Sequence, residues 1–218
     1  MALLSQDLLD QIKPALQALA KPVTLHVFSQ ELECQFCREA RLLAEEVAAV
    51  VPDKVKVVVH NFVVDKAEVE TYKIDKIPAI AVVGDQDYGI RFYGVPGGYE
   101  FTSFFQAMVM AGMGDAGLSQ ASRLKLGALT KPITLKVYVT LTCPYCPAAV
   151  HLAQQMAMAS PLIRAEMIET AEFPHLAVRD QVMAVPKTVI EGVGAFEGAL
   201  PEALYVEKVI ALVNGGKT

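Results

Sequence analysis

The sequence predicts an α/β chain built as a tandem duplication, each half alternating strands with helices. Three observations predict it. Lys21-Pro-Val-Thr-Leu-His-Val-Phe28 matches Lys131-Pro-Ile-Thr-Leu-Lys-Val-Tyr138. All four cysteines fall in two C-x-x-C pairs, Cys34/Cys37 and Cys143/Cys146. Ile74-x-x-Ile77-Pro78 then matches Val182-x-x-Val185-Pro186. These landmarks keep their order at offsets of 110, 109 and 108, which chance similarity would not do. A chain of 218 residues has room for two such units, expected at 1–115 and 116–218.

Each half opens with a helix. Ser5 is the expected N-cap, and Leu8, Leu9, Ile12, Leu16 and Leu19 recur at helical spacing. The counterpart around Ser119–Leu129 is shorter and carries Gly127. A strand follows (23–28; 133–139), and then a helix opened by the C-x-x-C (36–50; 145–158). The next strand is clear at 55–59 and weaker at 162–168. A short helix (64–72; 171–180) leads to the proline and a further strand (80–83; 188–190). Residues 89–92 are expected to close a hairpin, and a terminal helix ends each half. The glycines of Ala111–Gly117 are expected to end the helix that starts at Phe101 and to mark the boundary.

Composition removes several classes of function. Lys and Arg total 19 against 24 Asp and Glu, a net charge of −5, so no basic stripe is present to bind phosphates. Hydrophobic residues reach 53%, which excludes a disordered chain. Mean hydropathy is +0.36, yet apolar runs such as 77–84 are far shorter than the ~18 residues a spanning helix needs. The N-terminus lacks a basic flank, and Asp7 and Asp10 interrupt its apolar positions, so a cytoplasmic location is expected.

In such a compartment C-x-x-C pairs read as catalytic or metal-binding. Cysteines three apart in a first helical turn suit a disulfide. Free N–H groups and the macrodipole there favour a thiolate at the first position. Cys34 and Cys143 are therefore the expected nucleophiles, with Cys37 and Cys146 resolving. Pro144 is pre-organised for the first helical position. Zinc is the alternative, but the two pairs lie about a hundred residues apart, each in an equivalent place in its own repeat. Pro78 and Pro186 each follow a β-branched residue, Ile77 or Val185, and precede a strand. A proline there leaves neighbouring backbone free to pair with an extended substrate.

These residues resemble the thioredoxin superfamily. Cys143-Pro-Tyr-Cys146 is similar to the glutaredoxin tetrapeptide, and the whole chain resembles the two-domain, glutaredoxin-like protein disulfide oxidoreductases. The resemblance extends through Gln35, Phe92-Tyr-Gly-Val-Pro96, Met183-Ala-Val-Pro-Lys187 and Phe196-Glu-Gly198. It implies two fused thioredoxin-like folds, each a mixed central sheet flanked by helices, with Pro78 and Pro186 as cis-prolines. It also implies dithiol–disulfide exchange on protein substrates, as reductase, oxidase and isomerase. No bound cofactor is implied; electrons would come from a thioredoxin-reductase-like flavoprotein. The doubled fold at the N-terminus of the alkyl hydroperoxide reductase flavoprotein is similar but keeps one C-x-x-C. That relative supplies the rival reading, an electron relay between a flavoprotein and a peroxidase. The chain ends at Thr218 without a dinucleotide fingerprint, so no flavin is expected.

The two sites are not expected to be equal. Glu31 and Glu33 precede Cys34 and oppose a thiolate, with Arg38 after Cys37 a partial offset, whereas no acid precedes Cys143, which should be the more reactive. Phe28 and Val137 stand six residues before the first cysteines, where thioredoxins keep a buried acid. His26 and His60 are read as surface or satisfied core residues, His151 as solvated, and His175 as a loop residue without a partner. Neither nucleic acid nor membrane is an expected partner, and two fused folds reduce the need for a dimer.

Overall fold

A computed structural model describes residues 2–215. Helix α1 (Gln6–Gln17) starts where Ser5 accepts a hydrogen bond from the Leu8 N–H at 3.3 Å. Strand β1 (Val23–Ser29), α2 (Cys37–Val50), β2 (Val55–Asn61) and α3 (Lys66–Thr71) follow. Strands β3 (Ala79–Val83) and β4 (Asp87–Tyr93) form the expected hairpin. A 3-10 turn (Gly98–Glu100) leads into α4 (Phe101–Met113). The second half repeats the order as α5 (Gln120–Leu126), β5 (Ile133–Val139), α6 (Cys146–Ala159), β6 (Ile163–Glu169), α7 (Pro174–Arg179), β7 (Lys187–Ile190), β8 (Gly194–Glu197) and α8 (Glu202–Val213).

Two details differ from the sequence reading. Helix α4 runs through Gly112 and stops only at Gly114, whose φ of 72° is the left-handed cap that glycine supplies most readily. His175 lies on α7, edge-on to Phe173 at 6.3 Å between ring centroids.

The eight strands among the described residues form one sheet in the order β2-β1-β3-β4-β6-β5-β7-β8. Within each half the first two strands pair in parallel and the hairpin adds antiparallel. The halves meet where β4 runs parallel to β6, with Arg91 opposite Glu166 and Phe92 opposite Met167. Alternation along the strands divides the core. Val27, Ile80, Val82 and Phe92 face the long helices, whereas Phe28, Ala79, Ala81 and Tyr93 pack on the opposite face. Helices α4 and α6 pack against each other across the junction.

On that opposite face, His26, His60 and Tyr72 form a hydrogen-bonded chain. His26 Nδ1 lies 2.8 Å from His60 Nε2, and the Tyr72 hydroxyl lies 3.0 Å from His26 Nε2. Both histidines are thus satisfied core residues. Burial, then His60 and Arg91, hold His26 down at about 4. A histidine depressed in the folded state binds fewer protons than in the unfolded chain, so its stabilisation fades as pH falls from about 6.5 towards 4. Glu100 and Glu172, both pushed up to about 7, act oppositely over much of that window. The His26 contribution is therefore a difference measurement. In urea unfolding, the stability of wild type relative to His26→Gln should shrink by on the order of 2 kcal/mol between neutral pH and about pH 4. A constant difference would refute the assignment.

Candidate functional site

Both C-x-x-C pairs follow the C-terminal ends of equivalent strands, β1 and β5, and both are disulfides. Their Cα atoms lie 5.4 Å apart for Cys34–Cys37 and 5.5 Å for Cys143–Cys146. The helices begin at the second cysteine, with Phe36 and Tyr145 as N-caps that contribute no side-chain hydrogen bond. The first cysteine thus stands three residues ahead of the helix, outside the first turn in which the sequence reading placed it. The proline within the first turn of α6 is Pro147, not Pro144. Unpaired N–H groups at such an end favour negative charge on sulfur.

Burial separates the paired sulfurs. Cys37 and Cys146 are 3% and 0% exposed, whereas Cys34 is part-exposed and Cys143 is 9% exposed. The first cysteine is thus the more exposed member of each pair, clearly so for Cys34 and slightly so for Cys143. The Ile77–Pro78 and Val185–Pro186 peptide bonds are cis. The Val185 carbonyl lies 3.9 Å from Cys143 Sγ. Each proline carbonyl accepts from a glycine N–H beyond the hairpin, Gly94 at 3.0 Å and Gly198 at 2.9 Å.

The surroundings of the two sites differ. A cleft of about 390 Å³ beside Cys34 is lined by Glu31 together with Arg38, Arg41 and Glu45. Arg41, an unforeseen member of this cleft, makes local charge mixed rather than acidic. The second site instead presents apolar surface, with Tyr145 70% and Met183 90% exposed. Another cleft, of about 600 Å³ and lined by Arg91, Ile133 and Arg164 among others, lies at the other end of the strands and contains no cysteine. Three strands separate β1 from β5, which places the two sites roughly 19 Å apart at ~4.8 Å per strand. Among the described residues, no three His, Cys, Asp or Glu side chains are grouped to hold a metal.

Two acids at the junction of the repeats, Glu100 buried and Glu172 half-buried, escaped the sequence reading. Glu100 is 0% exposed and pushed up to about 7 by burial; its Oε2 accepts from the Ser103 hydroxyl at 2.6 Å. Its turn belongs to the first repeat but packs on the loop leading to Cys143, where the Tyr99 N–H donates to the Leu141 carbonyl at 3.0 Å. Glu172 mirrors this from the second repeat, accepting from the Val95 N–H at 2.7 Å. Neither lies in a motif, and each reaches the opposite repeat only through folding. His151 is half-buried rather than solvated, and burial lowers it.

The family model of the thioredoxin domain matches residues 133–211. The alkyl hydroperoxide reductase protein AhpF of Pseudomonas aeruginosa is 29% identical over 130 residues, covering 60% of this chain and 24% of that protein. The chain thus spans about a quarter of the curated relatives it matches first. A solved protein disulfide oxidoreductase from Aeropyrum pernix K1 superposes with a TM-score of 0.89 at 26% identity, covering 98% of this chain and 95% of that one. A structure of AhpF from Enterococcus faecalis gives 0.87 at 26% identity, covering 94% and 99%.

The contact between the repeats at Gly98 can be tested. Its φ is +53°, and a Cβ there would lie only 2.4 Å from the Leu141 carbonyl oxygen. Gly98→Ala should destabilise the fold by about 1–3 kcal/mol. It should also change the alkylation rate of reduced Cys143 while leaving Cys34 unaffected. Equal changes at both cysteines would show that this contact does not act on the second site.

Proposed function

Because the chain is a two-domain member of the thioredoxin superfamily, we propose that it reduces and forms disulfides in other proteins, using Cys34/Cys37 and Cys143/Cys146 as separate redox pairs. We assign the two units to 1–115 and 116–218. One observation carries the reading: each repeat holds a disulfide just ahead of a helix, its first cysteine the more exposed of the two, and each repeat carries a cis X–Pro bond ahead of its hairpin.

In the reducing direction, the thiolate of Cys34 or Cys143 attacks a substrate disulfide and a mixed disulfide forms. The departing substrate sulfur takes a proton. Cys37 or Cys146 then gives up its proton and attacks the first cysteine, which releases the second substrate sulfur. Two electrons pass to the substrate, and the enzyme pair becomes a disulfide. Ile77–Pro78 and Val185–Pro186 line the groove that receives the substrate strand. Regeneration needs a dithiol donor, which we assign to a thioredoxin-reductase-like flavoprotein.

A second reading is favoured by the likeness to the alkyl hydroperoxide reductase protein AhpF: a relay passing electrons from a flavoprotein to a dedicated peroxidase. The readings diverge on a generic substrate. Reduction of insulin disulfides driven by dithiothreitol should proceed with wild type and vanish in Cys34→Ser/Cys143→Ser. Cys143→Ser alone should cost about tenfold or more, and Cys34→Ser less. Wild type inert towards insulin but active with a flavoprotein and peroxidase pair would favour the relay.

A further inference from the structure

We infer that Lys76 is a positioning residue for the Cys34–Cys37 site: seated on Tyr93 and paired with Glu166 of the second repeat, it holds the Ile77–Pro78 backbone in place for a substrate strand. This rests on the redox reading above and deepens it.

The constraint begins in the backbone. A segment that is to pair with an extended substrate must keep its own N–H and carbonyl groups unpaired. It therefore cannot be held by the bonds that hold a strand or a helix. Between α3 and β3, the Ile74 N–H donates to the Val69 carbonyl at 2.9 Å, and the Pro78 carbonyl accepts from the Gly94 N–H at 3.0 Å. Among the described residues, Asp75, Lys76 and Ile77 make no backbone–backbone hydrogen bond. Order in this stretch has to come from a side chain.

Lys76 supplies it. Its side chain is 12% exposed, and its Nζ lies 3.5 Å from the centre of the Tyr93 ring, 2.5 Å from Asp75 Oδ1 and 3.6 Å from Glu166 Oε2. An ammonium over a ring face is attracted by the ring's quadrupole, more strongly where water is excluded. Tyr93 is buried at the end of β4, with Phe173 of the second repeat edge-on to it at 6.4 Å between centroids. Glu166 is 1% exposed, and neither of its carboxylate oxygens has an aligned hydrogen-bond donor. Its charge is met by the ion pairs with Arg164 and Lys76. A buried carboxylate holds such a cation in a fixed place, because losing it would leave charge uncompensated. The exposed Asp75 adds little.

The second site lacks this clamp. Ala184 stands in its repeat where Lys76 stands in the first, and the preceding Met183 is exposed. Strand register puts Glu197 of β8 in the place of Tyr93. Strand β8 is an edge of the sheet, so among the described residues no further strand carries a counterpart of Glu166. Lys187 does donate to the Gln181 carbonyl at 2.7 Å, a contact wholly within the second repeat. The first site is clamped because the second repeat lies beside it.

Lys76 acts through Ile77–Pro78 on capture of the substrate strand and makes no contact with sulfur. Released backbone must be ordered again each time a substrate binds, which costs affinity. The consequence is a loss confined to substrates that use the groove.

The test uses the full chain carrying Cys143→Ser and Cys146→Ser, so that only the first pair acts. Two quantities are read for each variant. One is kcat/KM for insulin reduction at saturating dithiothreitol. The other is the alkylation rate of reduced Cys34 by iodoacetamide, which needs no groove. Lys76→Ala should lower kcat/KM for insulin about tenfold, through KM more than kcat, while alkylation stays within about twofold of the parent. Lys76→Arg keeps the charge and stacks on a ring, so its kcat/KM should stay within about threefold. Glu166→Gln should repeat the loss, and adding Lys76→Ala to it should cost little more. An unchanged kcat/KM in Lys76→Ala overturns the inference and leaves the redox reading intact. Equal losses of insulin reduction and alkylation would place the effect on sulfur and overturn it too, as would a Lys76→Arg loss as large as that of Lys76→Ala. Should Glu166→Gln fail to fold, the Lys76 variants decide the matter alone. A parent inert towards insulin overturns both the inference and the redox reading of this site.

Discussion

Four residue pairs join β4 to β6, and through them two four-stranded sheets become one. The pairing is built with charge in its middle. Arg91 and Glu166 stand opposite each other and are 2% and 1% exposed. Buried ions at such a seam must be matched or the seam fails. Arg91 donates to Asp87 and to the Tyr72 carbonyl at 3.0 Å. Glu166 is met by Arg164 at 2.8 Å and Lys76 at 3.6 Å, ionic contacts rather than aligned hydrogen bonds. Once the seam forms, α4 lies on α6, the turn of Glu100 rests on the Cys143 loop, and Glu172 meets the end of β4. Each repeat therefore completes the surroundings of the other's disulfide.

The seam also keeps the disulfides apart. With three strands between β1 and β5, sulfur cannot pass directly from one pair to the other while the sheet stays intact. Each pair must exchange with a partner of its own, or with the same partner in turn. Their surfaces suit different partners: mixed charge beside Cys34, apolar Tyr145 and Met183 beside Cys143. Charge governs how quickly a partner arrives, whereas buried apolar contact governs how long it stays. The duplicated motif thus provides two instances of one chemistry with separate recognition.

The parts of this arrangement that depend on neighbours in sequence are directly legible. The repeat, both C-x-x-C pairs, the X–Pro positions and nearly every element follow from short-range patterns. Strand β6 reads weakly because Arg164, Glu166 and Glu169 break its apolar run; they are tolerated because Arg164 and Glu166 pair with each other and meet the Lys73 carbonyl and Lys76 across the seam, while Glu169 accepts from the Glu172 N–H. Strand β8, four residues rich in small side chains, carries too little pattern to stand out. Pro144 falls outside the first turn because α6 begins later than its apolar pattern suggests. Glu100, Glu172 and the His26–His60–Tyr72 chain are invisible in the sequence for one shared reason. Their partners lie on other strands or in the other repeat, and no local spacing encodes that meeting.

Duplication by translation raises a further physical problem, because the operation that placed β6 beside β4 could be repeated. The counterpart of β6 in the first repeat is β2, an edge strand with Val58 and Val59 exposed to 40% and 38%. An apolar edge of this kind invites another chain. The helices show why the series stops. Helix α6, covered by α4, has no Asp, Glu, Lys or Arg, whereas its counterpart α2 carries Arg38, Glu39, Arg41, Glu45 and Glu46. A third unit docking on β2 would have to bury much of that charge without the partners found at the internal seam, at several kcal/mol per unpaired ion. Two of the same residues, Arg38 and Arg41, border the cleft beside Cys34. The charges that leave the first repeat without a neighbour thus also set the electrostatics of its disulfide, and the second repeat, with its helix already covered, had no need of them.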